Sequence, residues 1–309
     1  MAKKILIAVG DCKYSRYAVK YVAAMGKGVN DLTYTLLNVQ SVIPSILMQE
    51  TKVNSECKAD IEALIREGAE TSRHVIGQLA ECLVENGVPR NHIETLSEPM
   101  QVGMAKDIIN QAERKGCNAI VIGSKGLTPT KDIFVGTTAT KIVEHALKIP
   151  VWVVDEYAEP RDVLIAVDGS KNSLRVLDYV IAMIGENRDL SFVLFHVVPY
   201  LSHYYSVDFE RKNLSLQKLI QERDYQRMEA FYSNAFQKFK KAGIEMNRVH
   251  TKMDKHGYDI STTILGEARR GQYGTVVVGR RGEREAFFTG RIAMRLFQKM
   301  PSPAVWMVA

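Results

Sequence analysis

Cysteine is scarce and scattered. The four present, Cys12, Cys57, Cys82 and Cys117, fall at no CxxC or Cys/His spacing, which excludes a disulfide scaffold and the common zinc modules. No apolar run approaches the ~18 to 20 residues of a membrane-crossing helix, so no span is expected. The basic start is followed by only five apolar residues, Ile5 to Val9, before Gly10, and reads as a first strand rather than an export signal. A cytoplasmic setting follows as the expectation. A Walker loop of the form GxxxxGK[ST] is also missing, which excludes a P-loop kinase. The turns after the two candidate first strands carry neither Ser-Gly-Gly nor an HxGH pair, so a nucleotidyl transferase or PP-loop ATPase lacks its phosphate grip.

Charge is nearly balanced, with 41 Lys plus Arg against 35 Asp plus Glu. The excess of +6 permits phosphate ligands without demanding them, and nucleic acid is not among the expected partners. Between Arg269 and Lys299 eight basic residues stand against Glu283 and Glu285, so this one segment carries the whole excess. It is either a solvated helix face or an anion site.

What the chain does have is a repeat. Ile5-Leu-Ile-Ala-Val9 recurs as Val163-Leu-Ile-Ala-Val167, Ser15 as Ser173, and Asn38-Val39 as His196-Val197, all at an offset of 158. Ala119-Ile-Val-Ile-Gly123 matches Thr275-Val-Val-Val-Gly279, and Trp152 matches Trp306. A period this long is two copies of one domain rather than a solenoid, and 309 residues suit two cores. The acidic, Pro-containing stretch Asp155 to Pro160 sets the expected boundary, giving domains 1–157 and 158–309.

Within each copy, apolar strands with almost no polar residue alternate with segments of helical period, such as Leu174, Leu177, Ile181 and Ile184 before Gly185. Continuous apolar strands imply burial on both faces, hence a parallel, doubly wound, Rossmann-like α/β sheet in each copy. Ligands of such sheets sit beyond the carboxyl ends of the strands.

At those ends the second copy reads Val167-Asp168-Gly169-Ser170. Asp168 is an acceptor that can face a sugar or base, while Gly169 permits a tight turn and Ser170 can cap the helix, so turn-making and ligand contact are both open. The first copy has Val9-Gly10-Asp11-Cys12, its acid displaced by one place. The fourth strand of the first copy runs into Gly123-Ser-Lys125-Gly126, then nine residues, then Gly136-Thr137-Thr138. Glycines let backbone approach a phosphate, and a helix from Thr138 to about Leu147 would offer its free amides and dipole, with a Thr137 hydroxyl beside them.

These motifs resemble the universal stress protein family, whose pattern is a V-D-G-S-like first turn and a G-x2-G-x9-G-[ST] loop that binds ATP. The resemblance spans nearly the whole chain twice and implies two adenine nucleotide alpha hydrolase-like domains in tandem. The first copy matches the loop through Gly123, Gly126, Gly136 and Thr137, whereas Gly10 stands at the first-turn aspartate position. The second matches the turn but not the loop: Gly279-Arg280-Arg281-Gly282 is followed by seven residues before Gly290, and Arg291 replaces the Ser/Thr. Each copy holds half of the signature. The resemblance also implies ATP, with Mg2+ as its candidate companion, as cofactor, and adenine docking on the backbone around Val39, with Val197 its counterpart. Lys125 is then placed to neutralise a phosphate, and Arg280 and Arg281 occupy that region in the second copy.

The expected function is an adenine-nucleotide-binding stress or signalling module acting on an unidentified protein partner, with at most slow ATP hydrolysis. The alternatives are a nucleotide-free scaffold and a binder of another small ligand. His196, with no acid at ligand spacing, reads as a core histidine. Tyr204, Tyr205 and a helical stretch from about Asn213 to Lys241 suggest an excursion after the second strand, either a lid or a solvated helix. The C-terminal strands containing Trp152 and Trp306 are apolar edges expected to pair as an intramolecular pseudo-dimer, and a homodimer is open.

Overall fold

In the computed structural model the described residues are 3–40, 55–125, 136–157, 162–203, 206–255, 259–280, 290–300 and 303–309, with side chains of 55–57 excepted. They form two compact units, Met1–Ala23 with Asp31–Ile149, and Ala24–Asn30 with Pro150–Ala309.

The first unit contains β1 (Lys3–Ala8), α1 (Lys13–Met25), β2 (Leu32–Gln40), α2 (Ser55–Glu85), β3 (Ile93–Pro99), α3 (Met104–Arg114), β4 (Ala119–Gly123) and α4 (Thr137–His145). The strands order as β3-β2-β1-β4, all parallel. Every residue of β4 is buried, as a strand covered on both faces requires. The chain leaves β1 on one side toward β2 and returns on the other at β4, so the crevice of the switch point opens above the carboxyl ends of β1 and β4. α4 begins one residue earlier than the sequence suggests, because Gly136 has extended backbone and its carbonyl already accepts from Thr140 N–H at 3.0 Å. It ends before Leu147, where Ala146 turns out of the helical region ahead of Pro150.

The second unit contains β5 (Val151–Val154), β6 (Asp162–Val167), α5 (Lys171–Ile184), β7 (Ser191–Val197), α6 (Val207–Lys212), α7 (Leu214–Lys241), β8 (Val249–Asp254), α8 (Ile260–Arg270), β9 (Thr275–Gly279), α9 (Arg291–Lys299) and β10 (Ala304–Val308). Strands β10-β9-β6-β7-β8 are parallel, and β5 joins antiparallel to β10. Trp152 lies opposite Trp306 in that pair, their rings stacked with centroids 3.7 Å apart. Both are fully buried, and Trp152 Nε1–H donates to the Tyr179 hydroxyl at 3.0 Å.

Candidate functional site

The first turn of the second repeat is held by its own polar groups. Ser170 caps α5 by accepting from Ser173 N–H, while Asp168 Oδ1 accepts from Ser170 N–H at 3.0 Å and from the Ser173 hydroxyl at 2.6 Å. Burial alone would raise the Asp168 pKa, but these bonds and the nearby Arg227 charge outweigh it and hold the carboxyl below its ordinary value. In the first repeat Asp11 is exposed and Cys12 stands where Ser170 does. The turn is fixed instead by Ser15, whose hydroxyl accepts from Gly10 N–H at 2.9 Å.

Both backbone groups of Val9 are used within the sheet: its N–H donates to the Leu37 carbonyl at 2.9 Å and its carbonyl accepts from Asn38 Nδ2 at 2.7 Å. The Val167 carbonyl takes the equivalent bond from His196 Nδ1 at 2.9 Å. Val39 and Val197 are buried at the ends of β2 and β7. Val39 also lines a cavity of about 440 Å³ bounded by Leu37, Pro99, Val102 and the Asn110 and Arg114 side of α3. Among the described residues, Gly123, Lys125, Gly136 and Thr137 are not part of that cavity's walls.

At the end of β4 the two functions of glycine separate. A methyl on Gly123 would lie 2.6 Å from Tyr14 Cβ, so Gly123 is required by the close passage of α1. Among the described residues, a methyl on Gly136 would meet nothing closer than the Ser124 carbonyl oxygen at 3.4 Å. Gly136 N–H donates to that carbonyl at 2.7 Å, and the Gly290 N–H repeats the bond to the Arg280 carbonyl at 2.6 Å. The residues flanking the loop are therefore joined in the same way in both repeats, although the second loop is two residues shorter in sequence.

α4 starts at Gly136 with no side-chain cap and no acid in its first turn, and Thr137 is exposed there. Thr138 is buried, and its hydroxyl points to Met104 Sδ at 3.8 Å. The Lys125 ammonium lies over the Tyr14 ring, 5.8 Å from its centroid. In the second repeat Gly279 ends β9, Gly290 precedes α9, and Arg291 is exposed at the first position of that helix. Arg280 is buried. Gly126, Arg281, Gly282, Glu283, Arg284, Glu285, Tyr204 and Tyr205 lie outside the described residues.

One feature that sequence spacing missed is the partner of His196. Asp224, in the middle of α7, places Oδ2 2.8 Å from His196 Nε2 and accepts from Arg227 Nη2 at Oδ1, 2.7 Å away. Burial would raise the Asp224 pKa, but His196 and Arg227 outweigh it and lower it. The first repeat has a neutral counterpart: Asn38 Oδ1 accepts from the Ser72 hydroxyl at 2.7 Å, and Ser72 shares a bond with Ser97 at 2.7 Å.

No helix among the described residues is long and apolar enough to cross a membrane. Among solved structures the chain is similar to a universal stress protein from Archaeoglobus fulgidus DSM 4304, at 18% identity and a TM-score of 0.63, covering 100% of this chain and 98% of that one. It is also similar to a functionally unknown protein, PA1789, from Pseudomonas aeruginosa PAO1 (15% identity, TM-score 0.61, 99% and 92% covered). A putative universal stress protein from Pseudomonas aeruginosa UCBPP-PA14 matches at 16% identity and TM-score 0.60, with 99% and 93% covered. These likenesses carry the fold. No curated protein matches. The model of the universal stress protein family matches twice, over residues 1–155 and 160–308, and the chain belongs to that family as a tandem member.

Proposed function

We propose that the first repeat binds an adenine nucleotide above the carboxyl ends of β1, β2 and β4, and that occupancy biases a protein-binding surface instead of driving turnover. The observation that carries this reading is the start of α4. Among the described residues no side chain caps it and its first turn holds no acid, and Thr137 and Lys125 stand at the same strand end. By contrast Ser170 caps α5 and Asp259 caps α8, while the start of α9 at Gly290 is uncapped like that of α4 but bears Arg291 at its first position. An uncapped start with the positive end of the dipole suits phosphate oxygens.

Buried Val39 beside the cavity suits the apolar base of such a ligand, with Asp11 at the first turn facing solvent for a sugar hydroxyl. Among the described residues no group of three or more His, Cys, Asp or Glu side chains is arranged to hold a metal. Any Mg2+ would therefore arrive on the nucleotide's own phosphates.

Two measurements test this reading. Acid extraction of the purified protein followed by chromatography should release adenine nucleotide, and isothermal titration should show ATP binding. Gly136→Ser introduces a capping oxygen that competes for the same amides, and should weaken ATP by roughly tenfold, the equivalent of about one hydrogen bond to a charged group. Wild-type protein that neither copurifies with nucleotide nor binds ATP at millimolar concentration refutes the assignment.

A further inference from the structure

The first turn of the second repeat is already in contact with a side chain of its own unit. α7 passes the carboxyl end of β6, and a methyl placed on Gly169 would lie 2.9 Å from Arg227 Cγ, 3.0 Å from Met228 Sδ and 3.2 Å from Arg227 Nε. The outward face of Gly169 is thus covered. Arg227 is held in that position by the ion pair to Asp224, whose other oxygen faces His196, whose second ring nitrogen is bonded to the Val167 carbonyl. Two side chains, Asp224 and His196, therefore tie the guanidinium back to the strand end that precedes the turn. In the first repeat the corresponding chain through Asn38, Ser72 and Ser97 is neutral.

A guanidinium offers the same kind of donors that a ribose hydroxyl or a base amine would present to the turn. Its charge also acts on Asp168, the acid of the V-D-G-S turn.

We propose that Arg227, seated with Met228 and anchored by Asp224 and His196, is a built-in occupant of the second repeat's first-turn site, so that the chain takes up one nucleotide and not two. The count of one rests on the reading of the first repeat given above. The occlusion of the second rests only on contacts within its own unit.

Titration calorimetry of the full chain with ATP tests it, comparing wild type with the double variant Arg227→Ala, Met228→Ala and with Arg227→Met, which keeps the bulk and removes the charge. Wild type and Arg227→Met should bind one equivalent, and the double variant two. Two equivalents in wild type, or one in a folded double variant, would overturn the proposal. No binding by wild type with one equivalent in the double variant would refute the reading of the first repeat and leave the occlusion standing. No binding by either refutes both. If circular dichroism shows the double variant unfolded, Arg227→Ala alone carries the same expectation and the same refuting outcome, since that side chain is 30% exposed.

Discussion

Replacing Gly123 by alanine puts a methyl 2.6 Å from Tyr14 Cβ and 3.1 and 3.2 Å from the Tyr14 backbone carbon and oxygen. Carbon atoms settle at about 3.5 to 4.0 Å, so relief requires a movement of about 1 Å. Little can yield. The start of α1 is pinned by Gly10 N–H to the Ser15 hydroxyl and Ser15 N–H to the Cys12 carbonyl, while β4 is paired along β1. Overpacking between such elements costs ~1 to 3 kcal/mol, and contact with backbone on both sides places this case in the upper half. At ~2 to 4 °C per kcal/mol for a unit of this size, the melting temperature should fall by about 4 to 12 °C. Differential scanning calorimetry of nucleotide-free protein reads the effect. Gly136→Ala is the control: its methyl would be at ordinary contact distance, and the lost glycine cap costs about 1 kcal/mol or less. If Gly123→Ala melts within about 1 °C of wild type without nucleotide, the packing account is wrong and Gly123 serves only a ligand.

Glu267 is fully buried and bonded to Lys252 at 2.5 Å, Arg270 at 2.8 Å and the Tyr273 hydroxyl at 2.9 Å. Burial would raise its pKa, but these partners outweigh it and lower it, so its contribution is complete above the unfolded value of ~4.3 and is lost as pH falls through the folded one. Glu267→Gln should therefore cost ~1 to 3 kcal/mol in urea unfolding at pH 7 and clearly less near pH 3; an equal cost at both would contradict this. Asp259→Ala removes the cap of α8, an acceptor 2.8 Å from Thr262 N–H, and should cost about 1 kcal/mol, with an unchanged thermal midpoint as the refuting result. Trp306→Ala empties a fully buried, stacked site and should cost ~3 to 5 kcal/mol, whereas Trp306→Phe should cost much less; near-ultraviolet dichroism will report loss of the coupled tryptophan signal.

The central strands β4, β7 and β9 were legible because they are buried on both faces, which leaves no alternation to confuse with an exposed strand, whereas β3 and β8 are largely exposed and carry no such apolar run. The end of α5 was equally legible, since Gly185 interrupts a clear helical period. The Ser170 cap is a local effect, and local effects survive in one dimension. The role of Gly123 is not local: its neighbour Tyr14 lies on another element, and no spacing rule connects them. His196 shows the same limit. Its acid sits 28 residues away on a helix that docks from above, so a search for ligand spacing sees only an isolated imidazole. The basic excess read as an anion site or solvated face is divided by the fold, with Arg280 buried and Arg291 exposed.

The seam between the repeats and the seam between the compact units are different seams. β5 is encoded by the first repeat, yet its backbone completes the sheet of the second unit, where Trp152 supplies the face on which Trp306 rests. A recombination event, or an engineer, cutting at the repeat boundary would release a second half whose β10 bears a bare row of N–H and C=O groups beside an uncovered indole. Such an edge recruits any strand within reach. Exchange of the second half between relatives must therefore carry residues 150–157 with it, and the heritable module begins inside what the sequence counts as the first copy.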